Sequence, residues 1–442
     1  MKIAMIGTGY VGLTSGACYA EMGHQVICVD NNQQKIQELN NGICPIFEPG
    51  LKELMVKNIS SGNLSFTSNI EEAVKESLII MIAVGTPSLP NGGVDMSYVD
   101  EVARQVGNAI NDYKVIVNKS TVPVGSADRV GKVIQRISDI SIDMASVPEF
   151  LREGSAVQDI LNGERIVIGV ESERAKDILV KLHQNFNIPI QVTDIRSAEL
   201  IKYAANSFLA LKISFINEIA NLAEKIGADV VEVAKGIGSD SRIGNKFLNA
   251  GIGFGGACFP KDTLGLISIA EEVEHDLSLM KEVVKINKEQ YKTVISKLLS
   301  VYSDLRGKTV SVLGLSFKPN TNDLREAPSL RIITDLIEIT KGNISIRAYD
   351  PIAMEEAATL LPSSVEFCSS IEDAVRGSDA AIIVTEWKEI IEKDWNELIK
   401  WMNSSVIIDG RNSLNISNNS GVTYLGIGRK KSVDSITENV YL

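Results

Sequence analysis

A cysteine at position 258 lies in a stretch of sequence that favours reactive thiol chemistry. The stretch reads Gly253-Phe-Gly-Gly-Ala-Cys258-Phe-Pro-Lys-Asp262, so glycines precede the thiol and a lysine and an aspartate follow it. A thiolate adds readily to an aldehyde, and a nearby lysine cation stabilises both the thiolate and the oxyanion that forms. Cys258 is thus a candidate nucleophile for a redox reaction that passes through a thioester. The other cysteines have no such neighbours and no metal-ligand spacing, so no metal site is expected; they are Cys18, Cys28, Cys44 and Cys368.

The amino terminus carries a dinucleotide-binding pattern. Lys2–Ile6 predicts a buried strand, Gly7-Thr-Gly9-Tyr-Val-Gly12 a glycine turn, and Leu13–Met22 a helix. The first glycine permits the tight turn, the second lets the backbone approach a pyrophosphate, and the third allows close packing of helix and strand. The amino end of the helix supplies N–H donors and a positive dipole for the phosphates.

An aspartate follows the second predicted strand, Gln25–Val29. Asp30 stands where a ribose-binding acid is expected, and a carboxylate there accepts from a 2′-hydroxyl but repels a 2′-phosphate. No arginine that could receive such a phosphate occurs at positions 31–34. The sequence consequently predicts NAD, not NADP, as the cofactor.

Length and composition indicate an ordinary globular protein. The chain has 442 residues, enough for about three domains, with 44% hydrophobic and 23% charged residues. Its formal charge of −12 argues against nucleic acid or an anionic membrane as a partner. With no membrane-spanning stretch and no signal-peptide pattern, a cytoplasmic location is expected.

Strand-like and helix-like segments alternate, which is typical of an α/β fold with parallel sheets. We predict two Rossmann-like, doubly wound domains: an NAD-binding domain over residues 1–196 and a nucleotide-sugar-binding domain over 301–442. A helical domain over 197–300 would join them. Further strands are predicted at Leu78–Val84, Val115–Lys119, Asp143–Ser146, Arg165–Gly169, Thr309–Leu313, Ser345–Tyr349, Ala380–Val384 and Val406–Asp409.

One long helix is predicted in the middle of the chain, over Ser197–Gly227, and it would span roughly 46 Å. It suits a spine between two lobes, a dimer interface, or both. Lys202 and Asn206 stand four positions apart near its start and would project from one side, either as site residues or as a solvated edge. A second helical stretch is predicted from about Leu264 to Leu299.

Polar residues follow several predicted strands, where ligands bind in such sheets. In the first half these segments are Gly85-Thr86-Pro87, Ser120-Thr121-Val-Pro-Val-Gly125 and Pro148–Gly154, although turn and cap chemistry explains the first two equally well. Glu149 and Glu153 would share a face if the last segment were helical. In the second half no dinucleotide fingerprint follows the first strand, and the basic residues Lys318, Arg325 and Arg411 are candidates to face phosphates. The polar residues from about Lys430 are expected to be mobile.

Together these motifs resemble those of the UDP-glucose/GDP-mannose dehydrogenase family of nucleotide-sugar dehydrogenases, and most closely those of its UDP-glucose 6-dehydrogenases. The resemblance covers nearly the whole chain and rests on the motifs above together with Glu199–Phe208, Arg242–Phe247 and Asp409-Gly-Arg411. It implies the oxidation of UDP-glucose to UDP-glucuronate with two NAD per sugar, in a homodimer formed through the central helix.

Carried over position by position, the resemblance also implies site residues. Cys258 would be the nucleophile, Lys202 and Asn206 would hold the reacting oxygen, Asp262 and Thr121 would handle protons and water, and Glu149 would position the sugar or the water. Cofactor contacts would come from Gly7, Gly9, Tyr10, Val11, Gly12, Asp30, Lys35, Thr86, Thr121, Glu153 and Arg325. Substrate contacts would come from Glu149, Phe150, Leu151, Lys202, Asn206, Arg242, Phe247, Leu248, Asn249, Gly255, Phe317, Lys318 and Arg411, with Arg242 reaching a partner subunit's site.

Three other functions are compatible with part of the pattern. A sister enzyme for UDP-N-acetylmannosamine, UDP-N-acetylglucosamine or GDP-mannose would share the chemical core. A two-electron hydroxyacid-type dehydrogenase would explain the NAD motif and the long helix but would leave Cys258 without a role. A nucleotide-sugar sensor without catalysis would need a damaged site, whereas every expected group is present in the sequence.

Overall fold

The structure, a computed structural model, describes residues 1–416 and 421–429. The polar segment from Lys430 onward, predicted to be mobile, lies outside the described residues. The described chain divides into two compact units. The first comprises Met1–Asn206 and Lys261–Asp276, and the second comprises Ser207–Pro260 and Leu277–Leu442 as far as it is described. The three-domain division remains a prediction.

The first unit is built on an eight-stranded sheet with the order β3-β2-β1-β4-β5-β6-β7-β8. Its strands are β1 Lys2–Ile6, β2 Gln25–Val29, β3 Leu64–Thr67, β4 Ile79–Ile82, β5 Lys114–Asn118, β6 Ile142–Ser146, β7 Ile166–Val170 and β8 Ile190–Thr193. All described neighbours pair in parallel except β6 and β7, which are antiparallel. The alternating pattern predicted a parallel sheet, and this prediction is wrong for the β6–β7 pair.

Helices cover the sheet of the first unit, as parallel strands require. They are α1 Tyr10–Glu21, α2 Gln33–Asn40, α3 Leu51–Ser60, α4 Ile70–Glu76, α5 Ser97–Ala109, α6 Ser126–Gln135, α7 Ala156–Leu161 and α8 Glu173–His183, followed by a 3₁₀ turn at Gln184–Phe186. The core consists of two apolar clusters that share the strands between them, one including Ile3 and Met5 and the other Ala4 and Ile6. This alternation along β1 buries both faces of the sheet.

The long central helix is confirmed as α9, Ile195–Ile226. Residues of α9 up to Asn206 belong to the first unit and later ones to the second. The helical stretch predicted over Leu264–Leu299 is instead divided into α11 Phe259–Glu272, α12 Ser278–Gln290 and the start of α13 Lys292–Val301. Glu274 has a φ of 57°, a left-handed backbone that ends the helical run although no glycine or proline marks the position.

The second unit contains a six-stranded parallel sheet in its described part, with the order β11-β10-β9-β12-β13-β14. Its strands are β9 Thr309–Leu313, β10 Ser345–Tyr349, β11 Val365–Phe367, β12 Ala380–Ile383, β13 Val406–Asp409 and β14 Thr423–Gly426. Its remaining helices are α10 Val230–Gly238, α14 Pro328–Ile339, α15 Met354–Leu360, α16 Ile371–Val375, α17 Lys388–Ile391 and α18 Trp395–Leu398, with a 3₁₀ turn at Ile399–Trp401.

In each sheet the strand order reverses at one point, between β1 and β4 and between β9 and β12. Ligands in such folds bind outside the carboxyl ends of strands at this switch point. The Rossmann-like fold class predicted for both ends of the chain is confirmed. Among the described residues, no helix is both long and apolar enough to cross a membrane.

Candidate active site

The first switch point is formed by a glycine turn between β1 and α1. Gly7 has a φ of +104°, and a side chain there would press against the carbonyl of Ala83 at 2.7 Å. A side chain at Gly12 would overlap the carbonyl oxygen of Gly7. Packing is therefore sufficient reason for a glycine at each of these two positions.

Gly9 is different, because nothing lies within 4 Å of the place where its side chain would be. It is the N-cap of α1 and, as a glycine, offers no side chain to cap this end. The first amides of α1 therefore keep their capacity to bind an anion, with Val11 in this first turn. The open side of Gly9 and these amides fit the pyrophosphate of a dinucleotide.

Asp30 follows β2 and belongs to the same corner. Its Oδ2 accepts from the backbone N–H of Thr8 at 3.2 Å and from Lys35 Nζ at 3.2 Å, and its Oδ1 accepts from the N–H of Asn32 at 3.0 Å. Burial raises the pKa of Asp30, but hydrogen bonds from the Thr8 hydroxyl, the Asn32 N–H and Lys35, together with the Lys35 charge, outweigh it and bring the pKa below its ordinary value. The carboxylate is charged, and Oδ1 retains a lone pair for a ribose hydroxyl.

Glu48 connects the glycine turn to the loop after β6, a role that sequence reasoning missed. Its buried carboxylate accepts from the N–H groups of Gly154 at 2.6 Å and Ala156 at 2.7 Å and from the hydroxyl of Tyr10. Burial, followed by the hydrogen bond to Glu48, raises the pKa of Tyr10. Glu153, itself buried, precedes Gly154 in this loop. The signal available was a lone acid in the otherwise apolar segment before Pro49.

The loops after β4 and β5 are joined by hydroxyl groups. Thr86 donates from Oγ1 to the carbonyl of Thr121 at 2.9 Å, and Ser120 donates from Oγ to the carbonyl of Val84 at 2.6 Å. These contacts place Thr121 beside Thr86 at the switch point, as the strand ends suggested.

Lys202 and Glu149 form a buried ion pair. Nζ of Lys202 lies 3.0 Å from Oε1 of Glu149, and the two side chains are 3% and 6% exposed. The N–H of Leu151 donates to Oε2 of Glu149 at 2.7 Å, and Nζ of Lys202 lies 5.6 Å from the centre of the Phe150 ring. The segment that holds Glu149 and Glu153 is irregular, so the shared helical face considered for the two acids does not exist.

A second polar pair lies one turn further along α9. Nδ2 of Asn206 donates to Oδ2 of Asp262 at 2.6 Å, and Oδ1 of Asp262 lies 2.6 Å from Nζ of Lys261. Lys202 and Asn206 are both buried, which rules out the solvated edge as an account of their spacing.

Buried charges surround these pairs. Lys119, directly after β5, is 6% exposed. Burial lowers the pKa of its ammonium to about 8, although the negative charge of Glu149 raises it. Its Nζ donates to the carbonyl of Val147 at 3.4 Å. Glu199, one turn before Lys202 on α9, has its pKa raised to about 7 by burial. Glu199 begins the Glu199–Phe208 motif, but the sequence assigned no role to it or to Lys119.

In the second unit, the glycine loop before α11 presents Cys258. Gly253 and Gly256 have φ values of +94° and +82°. Phe254 is held by Asn287, whose Oδ1 accepts from its N–H at 2.8 Å and whose Nδ2 donates to its carbonyl at 2.9 Å. Cys258 is half-buried and stands directly before the first residue of α11. A helix amino end favours the thiolate.

Arg411 and Phe317 hold the same loop. Arg411, just after β13, donates from Nη1 to the carbonyl of Gly253 at 3.0 Å and from Nε to the carbonyl of Val384 at 2.8 Å. A side chain at Gly256 would meet the Phe317 ring at 2.7 Å, and one at Gly255 would lie 3.1 Å from the Cβ of Phe317. The loop and the switch point of the second sheet are therefore adjacent.

The remaining residues predicted to bind substrate or cofactor in this unit are placed as follows. Nζ of Lys318 lies 5.4 Å from the centre of the Phe317 ring. The carbonyl of Arg325, on the loop before α14, accepts from the N–H of Gly256 at 2.8 Å. Phe247 has a left-handed φ of 65°, unusual for a bulky residue, and its ring lies 6.1 Å from that of Phe259. Leu248 is buried in the core and Asn249 is exposed.

Arg242 is the most isolated of the predicted residues. Its side chain is 87% exposed and pairs with Asp240 at 2.5 Å on the same turn.

Within residues 1–416 and 421–429, no three His, Cys, Asp or Glu side chains are grouped so that they could hold a metal ion.

Asp350 shows why the second sheet differs from the first. It follows β10 as Asp30 follows β2, but its Oδ2 accepts from the N–H groups of Leu315 at 2.7 Å and Ser316 at 3.0 Å and from Trp387 Nε1 at 3.0 Å. Asp350 is 1% exposed, so its carboxylate holds the loop after β9 and does not bind a ligand.

Models of three domains of one family match the chain. They are the NAD-binding domain over residues 1–187, the central domain over 196–289 and the UDP-binding domain over 311–416. The chain belongs to the UDP-glucose/GDP-mannose dehydrogenase family. Its NAD-binding domain contains the Gly7–Gly12 turn and Asp30, and NAD is the cofactor, as predicted.

Relatives in this family match along almost the full chain. In Bacillus subtilis strain 168, UDP-glucose 6-dehydrogenase TuaD is 50% identical over 97% of this chain and 93% of its own length. UDP-glucose 6-dehydrogenase YwqF of the same strain is 48% identical over 98% and 99%. The structure of a UDP-glucose dehydrogenase from Pyrobaculum islandicum superposes with a TM-score of 0.90 at 37% identity, covering 97% of each chain.

Proposed function

We propose that this protein oxidises UDP-glucose to UDP-glucuronate, reducing two NAD per sugar through a thioester on Cys258. The observation that carries the proposal is the half-buried thiol at the amino end of α11, on a loop braced by Arg411 and Asn287. A two-electron dehydrogenase has no use for such a nucleophile. The two Bacillus subtilis relatives named UDP-glucose 6-dehydrogenase favour UDP-glucose over the N-acetylated and GDP-linked sugars.

The first stage is the oxidation of the sugar C6 alcohol to an aldehyde. Bound NAD supplies the hydride acceptor in both oxidation steps. The hydroxyl proton must leave as the C6–H bond breaks, and none of the three histidines, at 24, 183 and 275, lies in a site motif. We therefore propose that carboxylates, Lys202 and water carry the proton.

The second stage uses the thiol. The Sγ of Cys258 forms a bond to the aldehyde carbon, and the carbonyl oxygen gains a proton, which gives a thiohemiacetal. Loss of a second hydride and of that proton leaves a thioester. Water then bonds to the carbonyl carbon and the C–S bond breaks, so that Cys258 regains its thiol and the carboxylate product is released with one proton to the solvent. Overall, the alcohol, two NAD⁺ and one water give the carboxylate, two NADH and three protons.

Lys202 and Asn206 are proposed to stabilise the oxygen that becomes negative at each tetrahedral stage, an effect worth about 3 kcal/mol for one good donor. Glu149 holds Lys202 by its ion pair at 3.0 Å and is proposed to position the sugar or the hydrolytic water. Asp262, hydrogen-bonded to Asn206 at 2.6 Å, is proposed with Thr121 to handle water and protons.

The nucleotide sugar is proposed to bind at the second switch point. Support comes from the match to the family's UDP-binding domain over residues 311–416 and from the basic and aromatic groups near that edge. These groups are Phe317, Lys318 and Arg411. The other proposed substrate contacts are Phe247, Leu248, Asn249, Gly255, Phe150 and Leu151. Tyr10, Lys35, Thr86, Glu153 and Arg325 are proposed NAD contacts.

A homodimer formed through α9 is also proposed. Phe208, Phe215 and Leu222 recur every seven residues on α9 and are 60%, 47% and 51% exposed. Such a stripe of large apolar side chains is typical of a helix packed against a partner. In a dimer, Arg242 would be available to the partner's site. Light scattering should give the mass of a dimer, and Phe215→Glu should yield monomers if the stripe is the interface.

We place the enzyme in the cytoplasm, where NAD and nucleotide sugars are available. The cysteines, all within the described residues, are free thiols, which suits a reducing compartment.

The variant Cys258→Ser tests the covalent route. It should bind NAD and UDP-glucose with nearly normal affinity by calorimetry yet form no net UDP-glucuronate, because a serine hydroxyl is a far weaker nucleophile. Cys44→Ser, which changes a thiol without reactive neighbours, is the matched control. Full acid formation by Cys258→Ser would eliminate the thioester from the mechanism.

A further inference from the structure

Glu199 makes two contacts with a different helix of the first unit. Its side chain is buried on α9, one turn before Lys202, and the residue is 2% exposed. Its Oε2 accepts from the backbone N–H of Gly125 at 2.6 Å, and its Oε1 accepts from the N–H of Ala127 at 3.0 Å. Each carboxylate oxygen thus holds one amide.

These amides belong to the amino end of α6, which lacks a cap of its own. Gly125 is the N-cap residue in a left-handed conformation, and no cap hydrogen bond comes from its own position. The preceding loop begins at Ser120, which is fixed by its hydrogen bond to the carbonyl of Val84 at 2.6 Å. The loop with Thr121 is therefore tied at its start to β4 and at its end, through Glu199, to α9.

We propose that Glu199 is a positioning residue, which keeps Thr121 in register with Lys202 and Asn206 by capping α6 from α9. This inference rests on the proposed function, in which those three residues act on one substrate. Both oxygens must be unprotonated for both amides to be held, because a protonated carboxyl presents an O–H to one of the two N–H donors.

Several charges surround this carboxylate. Asp128 on α6 raises the pKa of Glu199, and Arg196 on α9 lowers it. The charge of Asp262 on α11 and that of Glu199 both raise the pKa of the neighbouring Tyr203 hydroxyl. Asp128 is paired with Arg196 at 2.7 Å. With burial as the main cause, the pKa of Glu199 reaches about 7, so the cap changes state within the working pH range.

The test compares Glu199→Gln with wild type in the full chain, and Glu173→Gln, an exposed glutamate on α8, is the control. In ligand-free protein at pH 8, Glu199→Gln should speed amide exchange in the peptide Ser120–Ala127 by about fivefold, since one amide loses its acceptor. With substrates, kcat should fall about tenfold while both KM values stay within about threefold. In wild type this exchange, corrected for its intrinsic pH dependence, should be faster at pH 6 than at pH 8, and the variant should show no such difference.

Other results would overturn the proposal. Faster exchange with wild-type kcat would make Glu199 a structural cap only, and so would a loss of kcat that merely follows a fall in the melting temperature. Unchanged exchange would remove the cap itself. Failure of the proposed function is distinguishable, because wild type would then form no NADH from UDP-glucose whereas the exchange measurement needs no substrate.

Discussion

Lys202 donates from Nζ to Oε1 of Glu149 at 3.0 Å, and water is almost wholly excluded from both side chains. The two residues are 53 positions apart in the chain, and one belongs to a long helix whereas the other follows a strand. A buried pair of this kind contributes little net stability, but each charge depends on its partner. The proposed oxyanion donor is thus held in place by the residue proposed to position the sugar.

Removing one member of this pair should destabilise the fold. Lys202→Met leaves the Glu149 charge buried without its partner, and we expect the free energy of unfolding to fall by about 3–5 kcal/mol. The double variant Lys202→Met/Glu149→Leu removes both charges and should recover most of that loss. Urea unfolding of both variants measures the difference, and equal destabilisation of the two would mean that the pair is not electrostatically coupled.

Two glycines of the first turn should respond oppositely to alanine. Gly9→Ala places its methyl group in open space, so unfolding stability should change by no more than about 0.5 kcal/mol, whereas affinity for NAD should fall about tenfold or more. Gly12→Ala drives its methyl group into the Gly7 carbonyl and should cost about 1–3 kcal/mol of stability or more. Thermal unfolding and NAD titration separate the two effects. Normal NAD binding by Gly9→Ala would move the cofactor away from this turn.

Asp30 should govern the choice between NAD and NADP. Asp30→Asn keeps the shape but removes the charge that favours a ribose hydroxyl and repels a 2′-phosphate, so kcat/KM for NAD should fall about 10–100-fold relative to that for NADP. Asp139→Asn, at an exposed position, serves as the control. An unchanged preference would show that another group reads the ribose.

The pH dependence of stability should carry the signature of Glu199. Its pKa is raised from 4.5 to about 7, so the folded protein favours the neutral form. This contribution to stability is complete below about pH 4.5 and is lost as pH rises through about 7, by up to about 3 kcal/mol. His183, whose pKa burial lowers to about 3, acts in the opposite direction at acidic pH. The difference in unfolding free energy between wild type and Glu199→Gln isolates the effect, and a pH-independent difference would contradict the assignment.

Much of the fold could be predicted because its strongest signals are local. The glycine turn after β1 and the apolar runs of β1, β2, β9 and β13 fix their own conformation, and the structure reproduces these strands as predicted. The short strands β3 and β8, at the edges of the first sheet, were missed because each has only four residues, of which one in β3 and two in β8 are exposed. The break near Glu274 carries no glycine or proline, so only tertiary packing decides it.

The candidate site was only partly accessible to sequence reasoning. Residue types that perform chemistry, such as Cys258 and Lys202, were evident from their motifs, and their roles remain proposals. The carboxylates of Glu48 and Glu199, which brace the loops, could not be recognised from the sequence. Each binds backbone amides more than 70 residues away. A backbone amide has no sequence signature, so such contacts become visible only in three dimensions.

The central claim is a four-electron oxidation by one protein. The most direct measurement is the number of NADH molecules formed per UDP-glucose consumed by the purified wild-type protein with excess NAD. We predict two NADH for each UDP-glucose, with UDP-glucuronate as the product. A ratio of one, with the aldehyde as the product, would contradict the account and leave Cys258 without a catalytic role.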